Sequence, residues 1–143
     1  TFLNPSPDAG KEFFQQYHDK GAVVMLNLLK YRDIADYEGL DHLKPDQQIT
    51  GKEAYKLYMN HTTPFLQEAG GELLFFGTST NFLIGPKSEK WDAVLLVKHK
   101  SAAAFVAFAQ NEGYLKIAGH RKAALADSRL LPISQKDASQ GIG

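Results

Sequence analysis

Asn27, in the middle of the apolar run AVVMLNLLKYR at residues 22–32, is the side chain whose chemistry most needs an explanation. A buried amide without partners costs roughly 1 to 3 kcal/mol, so Asn27 must hold either a ligand or a neighbouring segment of the fold. Tyr55 and Tyr58 stand three apart on a helical pattern and bring two phenols to one face. Such groups orient ligands or supply a proton; their plainer role is core packing with satisfied hydroxyls. Arg121 and Asp127, with Arg129 beyond, surround a helix-to-strand turn where an arginine fork can grip a carboxylate or phosphate. An Arg to Asp ion pair is the simpler reading. His120, beside Arg121, is a candidate general base because its unperturbed pKa lies nearest neutrality, although a lone histidine is more often structural. Trp91 opens a strand after a turn, where it can cap a pocket mouth, rest on a second subunit or simply pack.

The missing residue types narrow the chemistry further. Histidines occur at 18, 42, 61, 99 and 120, with no pair at the separations that put two ligands on one strand or helix face, so no metal site is expected. An isolated His61 or His120 as a haem ligand is not favoured, and no cofactor is expected. There is no phosphate loop, no G-x-G-x-x-G and no G-x-S-x-G elbow. Without cysteine there is no disulfide and no thiolate nucleophile, which fits a reducing compartment. Sixteen basic residues balance sixteen acidic ones, so no overall field draws in a polyanion, and nucleic acid is not an expected partner. No apolar stretch approaches the roughly 20 residues of a membrane span, and a cytoplasmic protein is expected.

The elements that must position these groups follow from periodicity and punctuation. The 143 residues, 43% of them hydrophobic, suit one domain. Asp8 can cap a first helix that carries Phe13, Phe14 and Tyr17 and stops at Gly21. The strand at 22–32 is followed by a polar loop over 33–48, of a length often used as a lid or pocket wall. Thr50-Gly51-Lys52-Glu53 has capping-box spacing and opens a helix to about Ala69, with Tyr55, Tyr58, Met59, Thr62, Phe65 and Leu66 on its buried stripe. Residues 72–85 read as a long strand bent or bulged at Gly77, residues 86–90 as a turn, and WDAVLLVKH at 91–99 as the returning hairpin strand. Ser101 caps an alanine-rich helix that breaks near 111–113, a second piece runs over 114–126, and a last strand covers 128–133. Residues 1–133 thus form one domain, and 134–143 are expected to be a flexible tail.

That order is a helix followed by β-α-β-β-α-β, the ferredoxin-like α+β pattern of an antiparallel sheet with its main helices on one face. Both faces of its central strands are apolar. Val24, Leu26 and Leu28 alternate with Val23, Met25 and Leu29, and Val94 and Leu96 with Ala93, Leu95 and Val97. Leaving several such side chains wet would forgo about 1.5 to 3 kcal/mol each, so a second copy packed sheet to sheet is the expected partner.

NLLKY at 27–31, GKEAYKLY at 51–58, AGG at 69–71, LIGP at 83–86, WDAVLLV at 91–97 and HRKAALADSRLLP at 120–132 together resemble the bacterial domain-of-unknown-function family thirteen-thirty, within the dimeric α+β barrel superfamily. The resemblance runs from about Pro5 to Pro132. It implies a homodimer whose two sheets face each other as a barrel, with a small-molecule cavity between each sheet and its own helices. Superfamily relatives include cofactor-free monooxygenases, lactone isomerases and haem-containing chlorite dismutases, but a shared fold does not carry chemistry across.

Three functions are compatible with these residues. The first is a homodimer that binds a small organic molecule in a pocket lined by Asn27, Tyr55, Tyr58 and Arg121. The second is a cofactor-independent monooxygenase or isomerase in which the same groups hold an aromatic or lactone substrate and stabilise its anion. The third is a structural dimer with no ligand.

Overall fold

The computed structural model describes residues 1–142. Ser6 opens α1 (Pro7–Tyr17): its hydroxyl accepts from the Ala9 amide, and Pro7 takes the first helical position, where its missing N–H leaves nothing unpaired. The cap therefore lies two residues before Asp8, which sits in the first turn and complements the helix dipole. The helix closes at Tyr17, short of Gly21.

After α1 come β1 (Val23–Tyr31), α2 (Gly51–Glu68), β2 (Glu72–Thr78), β3 (Ala93–His99), α3 (Ala102–Gln110), α4 (Glu112–Ile117), α5 (Gly119–Ala124) and β4 (Leu125–Ile133). The strands make one antiparallel sheet in the order β2-β3-β1-β4, the ferredoxin-like topology that the alternation of elements predicts. A single 3-10 turn at Ala138–Gln140 follows in the tail, whose last residue, Gly143, lies outside the described residues.

Local chemistry sets each boundary. Thr50 and Glu53 form the full capping box of α2, each side chain accepting from the other's backbone amide. Ser101 caps α3 through the Ala104 amide. Asn111 stops α3 and caps α4, its Oδ1 accepting from Gly113 and Tyr114, and the expected helix over 114–126 is divided at Ala118 between α4 and α5. Strand β4 begins at Leu125 rather than Ser128, because β1 already pairs there through a register shift at Lys30 and Tyr31.

Strand β2 is shorter than its composition suggests, stopping at Thr78. Its ladder partner β3 starts only at Ala93, so the apolar Phe82-Leu83-Ile84 has no strand to bond. The irregularity lies at Leu74, between the pairs Leu73 to Val97 and Phe75 to Leu96, and not at Gly77. The extra residue lets Leu73 and Phe76 share the side of Val97 and Leu95, while Phe75 joins Leu96 on the other. Gly77 instead makes room for a neighbour, since a side chain there would strike the Phe75 ring.

The helices cover one side of the sheet. Leu29, Ala93 and Leu95 pack with Ala54, Tyr55, Tyr58, Ala123, Ala124 and Leu125 in the main core. At the far end α1 meets α3 through Phe13 on Phe105, and Tyr17 donates to the Pro132 carbonyl. Beneath α3, His99 is buried between Phe105 and Phe108 with its Nδ1 unpaired, and burial pushes its imidazole down to about 4. On the opposite side no helix lies over Leu26, Leu28, Val94 and Leu96, and Phe75 and Leu131 are 53% and 57% exposed.

Gly51 sits where three stretches of backbone close on one another. A Cβ there would meet the Arg32 nitrogen and carbonyl oxygen and the Ala124 carbonyl oxygen, all of them backbone atoms that cannot step aside. Gly51→Ala is expected to lose about 3 kcal/mol or more of stability, read as a fall in the urea midpoint. His99 makes stability depend on pH in a defined direction. The unfolded chain takes up its proton near pH 6.5 and the folded chain only near 4, so this contribution is full above pH 6.5 and is lost as pH falls through that window. The loss expected is about 2 kcal/mol, and His99→Leu should remove it from a series of urea melts across that range.

Candidate functional site

Tyr55 and Tyr58 project from α2 into the core, with 4% and 7% of their surface exposed. Tyr58 shares a 2.7 Å hydroxyl to hydroxyl hydrogen bond with Tyr114, and Tyr55 lies between the rings of Tyr58 and Tyr31. Burial raises both phenols above their ordinary value, and neighbouring tyrosines add to it, against an opposing pull from Arg121. These phenols fill the space between α2 and the sheet. Asn27 faces the helix side of β1, half-buried, and its amide nitrogen donates to the Met25 carbonyl two residues back on the same side of the strand.

Arg121 and Asp127 are not paired with each other. Arg121, on α5, donates to the Leu3 carbonyl at 2.6 Å and to the Ser128 hydroxyl at 3.1 Å, and that hydroxyl donates in turn to the Phe2 carbonyl. Asp127 accepts from the amides of Phe2 and Ser128 and from Arg129. Partial burial works against its ionisation, yet those hydrogen bonds hold its carboxyl below the usual carboxylate value. The Arg129 guanidinium lies over the rings of Phe2 and Trp91 at 4.8 and 4.9 Å. Trp91 is buried, with its indole N–H on Glu89. Arginine, serine, aspartate and tryptophan thus form one fastening that ties the N-terminal segment to β4.

His120 belongs to a second group. Its Nδ1 is 2.7 Å from the Tyr37 hydroxyl, both residues are buried, and the His61 ring lies parallel to its own with centroids 5.5 Å apart. Burial lowers the His120 pKa, and His61 and His42 lower it further, which favours the neutral form of the ring. A neutral imidazole bonded to a phenol is an acid–base pair: with the phenol donating, Nε2 carries the proton; with Nδ1–H donating, the phenol oxygen accepts. Tyr37 also lines a hollow of about 650 Å³ framed by residues 34–49, whose wall carries Asp36, Glu38, Asp41 and Asp46 against Lys44. A smaller groove of about 320 Å³ runs between Met59 and Leu66 of α2 and Leu73 of β2.

Among the sequence candidates the structure gathers Tyr55 and Tyr58 in one place, Trp91, Arg121 and Asp127 in another and His120 in a third. Tyr37, Tyr114 and Ser128 were not candidates, and His61 was weighed only as a disfavoured haem ligand. The signal for Tyr37 was its place as the one Phe, Trp or Tyr ring of the 33–48 loop. Nothing local marks His61, which meets His120 only because α2 packs on α5. Among the described residues no group of three or more His, Asp or Glu side chains is placed to hold a metal ion. None of the helices there is long and apolar enough to cross a membrane.

A model of the family described as a domain of unknown function, DUF1330, matches residues 46–133. The crystal structure of a protein of unknown function from Rhodopseudomonas palustris is 32% identical, covers 94% of this chain and 97% of its own, and superposes with a TM-score of 0.81. The methylated form of that protein gives 31%, 95%, 96% and 0.84. A dimeric ferredoxin-like protein of unknown function from Jannaschia shares the fold at 18% identity and a TM-score of 0.51, covering 79% of this chain and 98% of its own. No curated protein matches.

The stacked histidines make a measurable prediction. His61→Ala removes a neighbour whose electrostatic effect lowers the His120 pKa and exposes the ring to water, so that pKa is expected to rise towards 6.5, read from imidazole NMR shifts against pH. Tyr37→Phe leaves Nδ1 of a buried imidazole without its partner and should cost about 1 to 2 kcal/mol in thermal or urea unfolding.

Proposed function

Because the chain belongs to the DUF1330 family, whose description assigns no activity, its function has to be read from its own residues, and we propose that it is a homodimer that binds a small organic molecule. The observation that carries the dimer is the bare side of the sheet. Leu26, Leu28, Val94 and Leu96 run across its centre, and the exposed Phe75 and Leu131 stand at its edges. A sheet packed face to face against the same surface of a second copy buries this row on both subunits at once, which is what a two-fold interface requires. The dimeric state of the Jannaschia protein, which shares the fold, agrees with this reading.

The ligand is assigned to the hollow of the 34–49 loop, with Tyr37 in its wall and His120 directly behind. Four carboxylates against one lysine disfavour an anion there and favour a neutral or amine-bearing molecule. Asn27, Tyr55 and Tyr58 remain the ligand candidates of the helix side, and Trp91, Arg121 and Asp127 those of the N-terminal fastening. The Tyr37–His120 hydrogen bond favours one elaboration, a cofactor-independent isomerase in which this pair moves a proton on the bound molecule. The absence of cysteine and the balanced charge agree with a cytoplasmic protein that does not bind nucleic acid.

Native mass spectrometry on protein purified without added ligand tests both parts together. A dimer carrying extra mass is the expected result; a chain that stays monomeric at high concentration would remove the dimer, and an empty dimer would leave the hollow without its supporting observation. Leu131→Asp, which sets a charge in the bare face, is expected to give a folded monomer by sedimentation.

A further inference from the structure

We infer that the connection between β2 and β3 is an arm that grips the second copy of the chain, an inference that rests on the homodimer proposed above. The connection leaves the sheet after Thr78 and returns at Ala93, its two ends tied by the Ser79 amide on the Asp92 carbonyl at 2.9 Å. Between them Leu83 is 99% exposed and Ile84 92%, with Phe82 at 43% and its ring lying against Gly85. Consecutive large apolar side chains held in water are a pattern that soluble chains avoid unless the patch is a contact surface.

The second copy is the occupant because this surface continues the bare side of the sheet. The strand leading into the arm exposes Leu74 and Phe75, and the strand leaving it carries Val94 and Leu96 on the same side as Phe75. At the opposite edge of the sheet, β4 sets the exposed Leu131 on that same side, opposite Leu26. A two-fold axis that lies along the strands and brings two bare faces together sets the β2 edge of one copy, with its arm, beside the β4 edge of the other, and does so twice. Each arm then buries what its own chain leaves bare. A lipid surface fits less well, since Lys87 and Lys90 are balanced by Glu89 and Asp92 and the arm has neither net charge nor a helix to lie on a membrane.

The chain has no cysteine, so Leu83→Cys installs a single thiol whose reactivity reports on the arm alone. In the dimer this thiol is expected to react far more slowly than in the monomeric Leu131→Asp background. Leu83→Ser with Ile84→Ser should raise the dimer dissociation constant by about tenfold or more, by sedimentation over a dilution series, with an unchanged circular dichroism spectrum. An unchanged dissociation constant, or a freely reactive thiol in an intact dimer, would overturn the arm and leave the homodimer standing. Protection that persists in the Leu131→Asp monomer would place the arm on its own chain, and co-sedimentation of the wild-type chain with phosphatidylcholine vesicles would place it in lipid; either overturns the inference. A wild-type chain that is monomeric at high concentration would remove the homodimer and the arm with it.

Discussion

At Arg32 three segments of backbone meet so closely that only glycine fits between them. The Arg32 amide donates to the Ala124 carbonyl at 2.8 Å, and the Gly51 amide donates to the Arg32 carbonyl at 3.1 Å. The end of β1, the first residue of α2 and the last turn of α5 are thereby held together, and a side chain at position 51 would collide with the backbone on both sides of it. The contact fixes both ends of the 33–50 loop. The Asp36 amide adds a further tie to the Ala123 carbonyl, so Tyr37 is delivered to His120 by backbone constraints on either side. The pairing of α2 with α5 brings His61 onto the same ring. The acid–base pair and the hollow beside it both depend on this crossing.

A second constraint is geometric: a sheet of four strands has two sides, and the helices reach one. Strand alternation divides the apolar residues of β1 and β3 between the two sides, so the bare side carries its own full row of hydrocarbon. The bulge at Leu74 has the same effect at the edge, since it lets four consecutive apolar residues of β2 serve both sides. Such a surface is stable in water only when something lies on it. The fold therefore gives the proposed dimer a firmer footing than any proposed reaction.

The polar residues follow a different logic. A buried charge or hydroxyl must find partners, and in this chain most partners are backbone groups of distant segments. Arg121, Ser128 and Asp127 take the carbonyls and amide of Phe2 and Leu3, so residues with the chemistry of an anion site act as the fastening of the N-terminal segment. Asn27 takes the carbonyl of its own strand. His120 differs, because its partner is another titratable side chain on a loop that borders open space.

The fold was legible in the residues because it rests on local signals. Capping chemistry at Thr50 and Ser101 sets helix starts from the side chains of a few neighbouring residues, and period-two hydrophobicity marks strands wherever it occurs. Order and alternation then leave few topologies, and the ferredoxin-like one follows. Strand ends were less legible, since β2 stops where β3 ceases to offer a ladder, a fact about another part of the chain. The candidate site was legible only in part for the same reason: Tyr37 and His120 lie 83 residues apart and meet through the crossing at Gly51. Residue types determined which groups can do chemistry. Tertiary structure alone decided which of them are already satisfied by backbone and which face a hollow, because hydrogen-bond partners and open space are properties of packing and not of sequence spacing.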